Sequence, residues 1–314
     1  MPLRVLVYHR RARELAQLVR ERLPDVEVAA GFDDDTLTRH LADAEALIAF
    51  HFPLDALPRA KSLRWIQLTS AGAEQVMPAR AALERVVVTN TRGIHAELMA
   101  DYTLGVMVML QWGFPRILRD QQARTWAPRL VLPLAGRTLA VVGAGAIGGE
   151  IARRAAAFGL RVLAVKRTPG PVEGAAEVLT APQLREGLGR ADFVVLVVQV
   201  TAETRRLVGG SELRAMRSTA YLINIARASV LDEGALVQAV REGWIAGAAL
   251  DVFEEEPLPT TSPLWELPNV IITPHIAGEP ADYARRVADV FVDNAVRFRR
   301  GEPLRNVVDF ERGY

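Results

Sequence analysis

One short stretch limits the architecture of this chain more than any other: Gly143-Ala144-Gly145-Ala146-Ile147-Gly148. It follows an apolar run, Leu139-Ala140-Val141-Val142, and opens a helical pattern over 147–158. In such a strand-to-helix turn the three glycines act differently. The first permits the tight turn, the second lets the backbone approach a pyrophosphate, and the third lets helix and strand pack closely. The helix N-terminus then presents free N–H groups to an anion. A turn of this kind belongs to a βαβ unit, so the motif predicts an α/β fold around a parallel sheet.

The rest of the chain agrees with that prediction. Strand-like runs at 4–8, 26–29, 46–50, 65–68 and 86–89 alternate with helical patterns at 11–22 and 36–44. A long helix is expected over 96–118. The alternation then restarts with stronger Val/Ile/Leu runs at 138–142, 161–165, 193–198, 221–224, 247–250 and 270–273. Near-continuous apolar strands of this type are buried on both faces of a parallel sheet. An amphipathic helix over 281–299 and an extended tail over 302–308 close the chain. With 314 residues there is room for two domains. The expected fold class is therefore α/β with two doubly wound parallel-sheet domains. One, residues 100–280, interrupts the other, residues 1–99 and 281–314. A cleft between two such domains is a favoured ligand site.

Composition removes several classes of function. Lys and Arg number 38 against 37 Asp and Glu, a formal net charge of +1. That balance gives no footprint for nucleic acid or an anionic membrane. The chain has no cysteine, which excludes disulfides, thiolate catalysis and Cys-ligated zinc. No HxxxH or HExxH pair and no carboxylate cluster reads as a metal site. No segment reaches the ~18 apolar residues of a membrane span. The N-terminus reads as a first strand and not as a signal peptide, so a cytoplasmic location is expected.

Three segments at predicted strand ends carry chemistry: Asn224-Ile225-Ala226-Arg227-Ala228, Asp251-Val252-Phe253-Glu254-Glu255-Glu256-Pro257 and Thr273-Pro274-His275-Ile276-Ala277-Gly278. Ligands of open α/β sheets bind at the carboxyl ends of strands. An Arg, a Glu and a His placed there suit hydride transfer to a polarised carbonyl. After the strand at 161–165 stand Lys166, Arg167 and Thr168. An acid is expected near Lys166 in a site that grips the ribose 2′-OH of NAD. Two cations and a hydroxyl suit a 2′-phosphate instead, so NADP is expected, with NAD as the alternative. Of the other histidines, His9 and His40 read as exposed. His51 reads as a first-domain loop residue, with a place facing the cleft as the lesser alternative, and His95 as an N-cap or cleft residue before the long helix.

These residues bring out a resemblance. From about Leu68 to Val308 the chain resembles the D-specific 2-hydroxyacid dehydrogenases, which include glyoxylate/hydroxypyruvate reductases and 3-phosphoglycerate dehydrogenases. The shared motifs are Ala71-Gly72, Ala100-Asp101, the glycine turn, Thr201-Ala202-Glu203-Thr204, the three segments above and Gly301 to Val308. The resemblance implies a Rossmann dinucleotide-binding domain inserted in a flavodoxin-like substrate domain. It implies that Arg227 binds the substrate carboxylate and 2-oxo oxygen, that His275 is the general acid and base, and that Glu256 fixes the His275 tautomer. Asp251 would hold the nicotinamide carboxamide. Ser70, Ala71 and Gly72 would receive the substrate carboxylate. Gly143, Gly145, Ala146, Ile147, Gly148, Lys166, Arg167, Thr168, Val198, Gln199, Thr204, Ile225, Ala226, Asp251 and Ala277 would line the coenzyme.

Three positions depart from the family pattern: Asp101 for Glu, Gln199 for Pro and Ala228 for Gly. The formate-oxidising relatives carry an amide where Glu256 stands, so Glu256 argues against that chemistry. Dinucleotide-sensing corepressors share the fold but need a partner groove for which no motif is visible. Phe50, Phe52 and Trp126 suggest an apolar wall suited to a small uncharged 2-oxo acid such as glyoxylate or hydroxypyruvate. Residues 119–134 resemble the family's dimer arm, so a homodimer is expected. The two domains are expected to close on ligand, hinging near 96–100 and 278–281.

Overall fold

The computed structural model describes residues 2–313. The chain forms two compact units. One runs to Ile94 and resumes at Pro280; the other is His95–Glu279.

The first unit holds β1 (Arg4–Tyr8), β2 (Glu27–Gly31), β3 (Ala46–Ala49), β4 (Trp65–Leu68) and β5 (Val87–Thr89). They pair in the order β2-β1-β3-β4-β5, every pair parallel. This is the doubly wound order 2-1-3-4-5. Helices α1 (Ala12–Arg22) and α2 (Asp34–His40) cross over between strands. The side chain of Asp33 caps α2 by accepting from Thr36 N–H at 2.7 Å.

The second unit opens with α3 (Ala96–Trp112) and α4 (Phe114–Gln122). A single helix was expected over 96–118. Gly113 breaks it, with φ +68° in the left-handed region, its N–H closing α3 on Leu110 and Met109 carbonyls. Pro115 then starts α4, where a missing N–H costs nothing. Seven strands follow: β6 (Thr138–Val142), β7 (Arg161–Val165), β8 (Glu177–Leu179), β9 (Phe193–Leu196), β10 (Tyr221–Asn224), β11 (Gly247–Leu250) and β12 (Val270–Ile272). Their order is β12-β11-β10-β9-β6-β7-β8. Renumbered from β6 this is 7-6-5-4-1-2-3, so the direction of winding reverses between β6 and β9. A ligand crevice is expected at that reversal, outside the strand carboxyl ends. Helix α5 (Ala146–Ala157) connects β6 to β7, and α6 (Leu184–Arg190), α7 (Gly210–Ala215) and α8 (Glu233–Arg241) complete the crossovers. The sheet core is almost wholly Val, Leu, Ile and Ala, with Val194, Leu222 and Ala248 fully buried on one face and Val195, Ile223 and Ala249 on the other.

Helix α9 (Tyr283–Arg300) returns to the first unit. Its buried residues, Ala284, Val287, Ala288, Phe291, Asn294 and Ala295, recur at helical spacing and so form one stripe. Phe291 stacks on the buried Trp65 of β4, centroids 4.7 Å apart. Asn294 is buried and satisfied by Gln67 and by both backbone groups of Arg305. The expected extended tail adds to the sheet edge: Asn90 N–H donates to Asn306 O at 3.0 Å and Val308 N–H to Val88 O at 2.8 Å.

His40 and His51 are exposed. His9 is not, contrary to the reading as an exposed residue. It is 9% exposed at the end of β1, its Nδ1 accepting from Arg11 N–H at 3.0 Å. Among the described residues no helix is long and apolar enough to cross a membrane, and no group of three potential metal ligands occurs.

Candidate active site

In the second unit the predicted residues gather at the strand carboxyl ends. Gly143 follows β6 directly with φ +107°, where a Cβ would meet Val197 O at 2.7 Å. A Cβ on Gly148 would lie 2.1 Å from Gly143 O, so the helix packs on the turn only because that atom is missing. A Cβ on Gly145 would meet nothing within 4 Å. The space before the α5 N-terminus is therefore open, as a pyrophosphate requires. A cavity of about 480 Å³ adjoins it, lined by Ala96, Gly145, Ala146 and Gly149 and by the charged Glu97, Glu150, Arg153 and Glu173. Ile147 is half-buried and packs against the core behind. The residues present fit a dinucleotide.

Lys166, Arg167 and Thr168 follow β7, the two latter exposed. Val198 and Gln199 follow β9 and are half-buried. Thr204 stitches this loop, donating to Gln199 O at 2.6 Å and accepting from Thr201 N–H at 2.7 Å. Gln199 thus contributes its carbonyl to the turn.

Strands β10, β11 and β12 are neighbours, so Arg227, Glu256 and His275 follow adjacent strand ends. Asn224, 1% exposed, shapes the β10 turn: its Oδ1 accepts from Ala226 N–H at 3.1 Å and its Nδ2 donates to Arg227 O at 3.3 Å. Ile225 and Ala226 are buried below Arg227, which is extended, φ −145°, and half-buried. Ala228 begins a short 3₁₀ turn without a positive φ, so the methyl group in place of glycine is accommodated. Asp101, the substitute for Glu, is exposed and pairs with Arg154.

His275 Nδ1 lies 2.7 Å from Glu256 Oε2, and Glu256 Oε1 accepts from Phe253 N–H at 3.0 Å. A carboxylate held by a backbone donor accepts from the imidazole, so Nδ1 carries the hydrogen. Glu254 N–H donates to Glu233 at 3.2 Å, and burial raises the Glu233 carboxyl above the usual range. Asp251 is 2% exposed. It accepts from Thr273 Oγ1 at 2.6 Å, Ile276 N–H at 2.9 Å and Ala277 N–H at 3.0 Å. It braces the His275 turn, a task its position in the sequence gave no sign of. His275 itself has φ +54°, an uncommon conformation for a residue with a Cβ.

In the first unit, Ser70-Ala71-Gly72 follow β4. Ser70 Oγ donates to Gly72 O at 2.8 Å and accepts from Gln75, while Asn90 donates to Ala71 O at 2.9 Å. The Glu74 carboxylate lies against this turn, where a Cβ on Gly72 would meet its Oε2 at 2.1 Å. Sequence reasoning placed Asn224 and Thr273 in the strand-end segments without giving either a task, and it missed Asn90 and Tyr102, whose hydroxyl lies 2.8 Å from Thr273 Oγ1.

Comparison with known proteins places this geometry. Residues 104–277 match the model of the D-isomer specific 2-hydroxyacid dehydrogenase, NAD binding domain. The glyoxylate reductase of Korarchaeum cryptofilum is 35% identical over 88% of this chain and 86% of its own. A D-isomer specific 2-hydroxyacid dehydrogenase from Xanthobacter autotrophicus, solved with NADPH and MES, superposes with a TM-score of 0.90 at 29% identity over the whole of both chains. An NADPH-dependent glyoxylate/hydroxypyruvate reductase from Sinorhizobium meliloti, solved with NADP and sulfate, gives 0.89 at 25% identity over 99% of each. The chain belongs to the D-isomer specific 2-hydroxyacid dehydrogenase family, oxidoreductases that pass a hydride between a nicotinamide coenzyme and a small 2-oxo or 2-hydroxy acid.

Proposed function

We propose that the chain reduces glyoxylate, hydroxypyruvate and similar small 2-oxo acids to 2-hydroxy acids, D-configured where the product is chiral, with NADP(H) preferred over NAD(H). The observation that carries the reading is the His275–Glu256 pair: an imidazole with Nδ1 fixed at 2.7 Å by a carboxylate that a backbone N–H in turn holds. When bound, the coenzyme supplies the hydride. His275 Nε2 gives the proton to the carbonyl oxygen in reduction and takes it back in oxidation. Arg227 presents a fork of donors that orients carboxylate and 2-oxo oxygen together. The amides of Ala71, Gly72 and Ala73 take up carboxylate charge. Gly143 to Gly148 and the α5 N-terminus hold the pyrophosphate.

Lys166, Arg167 and Thr168 after β7 support the 2′-phosphate, being two cations and a hydroxyl where an acid would stand to grip a ribose 2′-OH. The Xanthobacter and Sinorhizobium proteins carry NADPH and NADP. A homodimer is supported by residues 125–133, an irregular segment with Trp126 94% exposed and Leu132 63% exposed.

Steady-state assays of a 2-oxo acid panel with NADPH and NADH test the reading. Glyoxylate or hydroxypyruvate with NADPH should give the highest kcat/KM, and a higher value with NADH would remove the coenzyme preference. His275→Ala should cost on the order of 10²-fold or more in kcat; near-parental turnover would remove His275 from its role.

A further inference from the structure

We propose that Tyr102 and Thr273 are positioning residues which, through Asp251, hold the His275 turn in its left-handed conformation and so keep the imidazole on Glu256. The inference rests on reading His275 as the proton-transfer group.

At +54° the His275 φ costs about 1–2 kcal/mol relative to the right-handed regions, so surrounding contacts must impose it. Local contacts are few. His275 N–H reaches back to Thr273 O at 3.0 Å, and the side chain is about half exposed. The restraint comes from Asp251, which grips the turn on both sides of His275: Thr273 Oγ1 before it, Ile276 N–H and Ala277 N–H after it.

The hydrogens in this network can be assigned. Thr273 has one hydroxyl hydrogen and donates it to Asp251 Oδ1 at 2.6 Å. The 2.8 Å contact with Tyr102 therefore has the phenol as donor and Thr273 as acceptor. Burial pushes the Tyr102 phenol up to about 12, so it remains a donor throughout the neutral range. Tyr102 lies on α3, 171 residues away from Thr273 in sequence.

Other residues on the same helix face hold the far end of the turn. His95 Nδ1 lies 2.7 Å from Gly278 O, and a Cβ built on Gly278 would be 3.4 Å from Met99 Sδ. Positions 95, 99 and 102 fall at i, i+4 and i+7, one side of a helix. His95 at the N-cap of α3 and Tyr102 within it thus meet the two ends of the turn that carries His275. Removing the outer hydrogen bond leaves fold and ligand groups in place but loosens the imidazole. A misplacement on the order of 1 Å costs up to about 10²-fold in rate.

The test is a mutant cycle assayed with glyoxylate and NADPH. Tyr102→Phe should lower kcat about tenfold, with KM for both substrates within about twofold and an unchanged melting temperature. Thr273→Val, which cuts both bonds, should lose at least as much, and Thr273→Ser should recover to within about twofold of the parent. In a His275→Ala background Tyr102→Phe should have no further effect, because the residue acts only through the imidazole. A parental kcat for Tyr102→Phe overturns the proposal, as does an equal loss in both backgrounds or a lower melting temperature without a kinetic change. Near-parental turnover of His275→Ala alone refutes the acid–base reading and the premise with it, a result distinct from any of these.

Discussion

His9 shows how much a single residue's surroundings matter. Burial first, then the charges of Arg11 and Arg10, push its imidazole down to about 4. It is therefore neutral in the fold at pH values where the unfolded chain protonates it. The resulting stability is fully present above about pH 6.5 and is lost as pH falls through about 4, a contribution on the order of 2–3 kcal/mol. Urea midpoints should fall between pH 7 and pH 4.5, and His9→Gln should flatten that dependence. An unchanged slope in the variant would place the acid sensitivity elsewhere. A lone histidine after a strand reads as exposed, and packing against Tyr283, centroids 6.2 Å apart, reveals otherwise. Gly148 was legible because its constraint is local. Gly148→Ala would press a methyl group on Gly143 O, so coenzyme affinity measured by fluorescence titration should drop tenfold or more, with about 1–3 kcal/mol of stability lost.

Elements were legible where burial was two-sided. The Val/Ile/Leu runs of β6, β7, β9 and β10 announce themselves because both faces are covered. Strand β8, Glu177-Val178-Leu179, was missed: it has three residues, lies at the sheet edge and buries only Leu179 fully. The α3–α4 break was missed because Ile117 and Leu118 keep a helical spacing beyond Gly113, and backbone conformation decides the matter there. The segments bearing Arg227, Glu256 and His275 were readable as strand-end motifs, whereas the Tyr102–Thr273–Asp251 chain joins residues far apart in sequence. In the first unit, Trp65 is fully buried, stacks on Phe291 and Phe298, and donates from Nε1 to Thr89 Oγ1 at 2.8 Å. Trp65→Ala should cost about 3–5 kcal/mol in chemical denaturation. A loss below about 1 kcal/mol would mean that α9 does not depend on this contact.

At the scale of the molecule, the exposed segment at 125–133 is where the proposed homodimer can be tested. Sedimentation should return twice the chain mass, and Trp126→Asp with Leu130→Asp should return a single chain. A parent that sediments as one chain would rule the dimer out. The first unit is discontinuous, and this orders events during synthesis. The ribosome releases the residues up to Ile94 long before α9 exists, so Trp65 waits without Phe291, Gln67 without Asn294, and β5 without its tail. His95–Glu279 is contiguous and can complete its sheet while translation continues. The unit begun first is thus the unit finished last, and a chain stalled before Tyr283 would carry a closed coenzyme lobe and an open, sticky one.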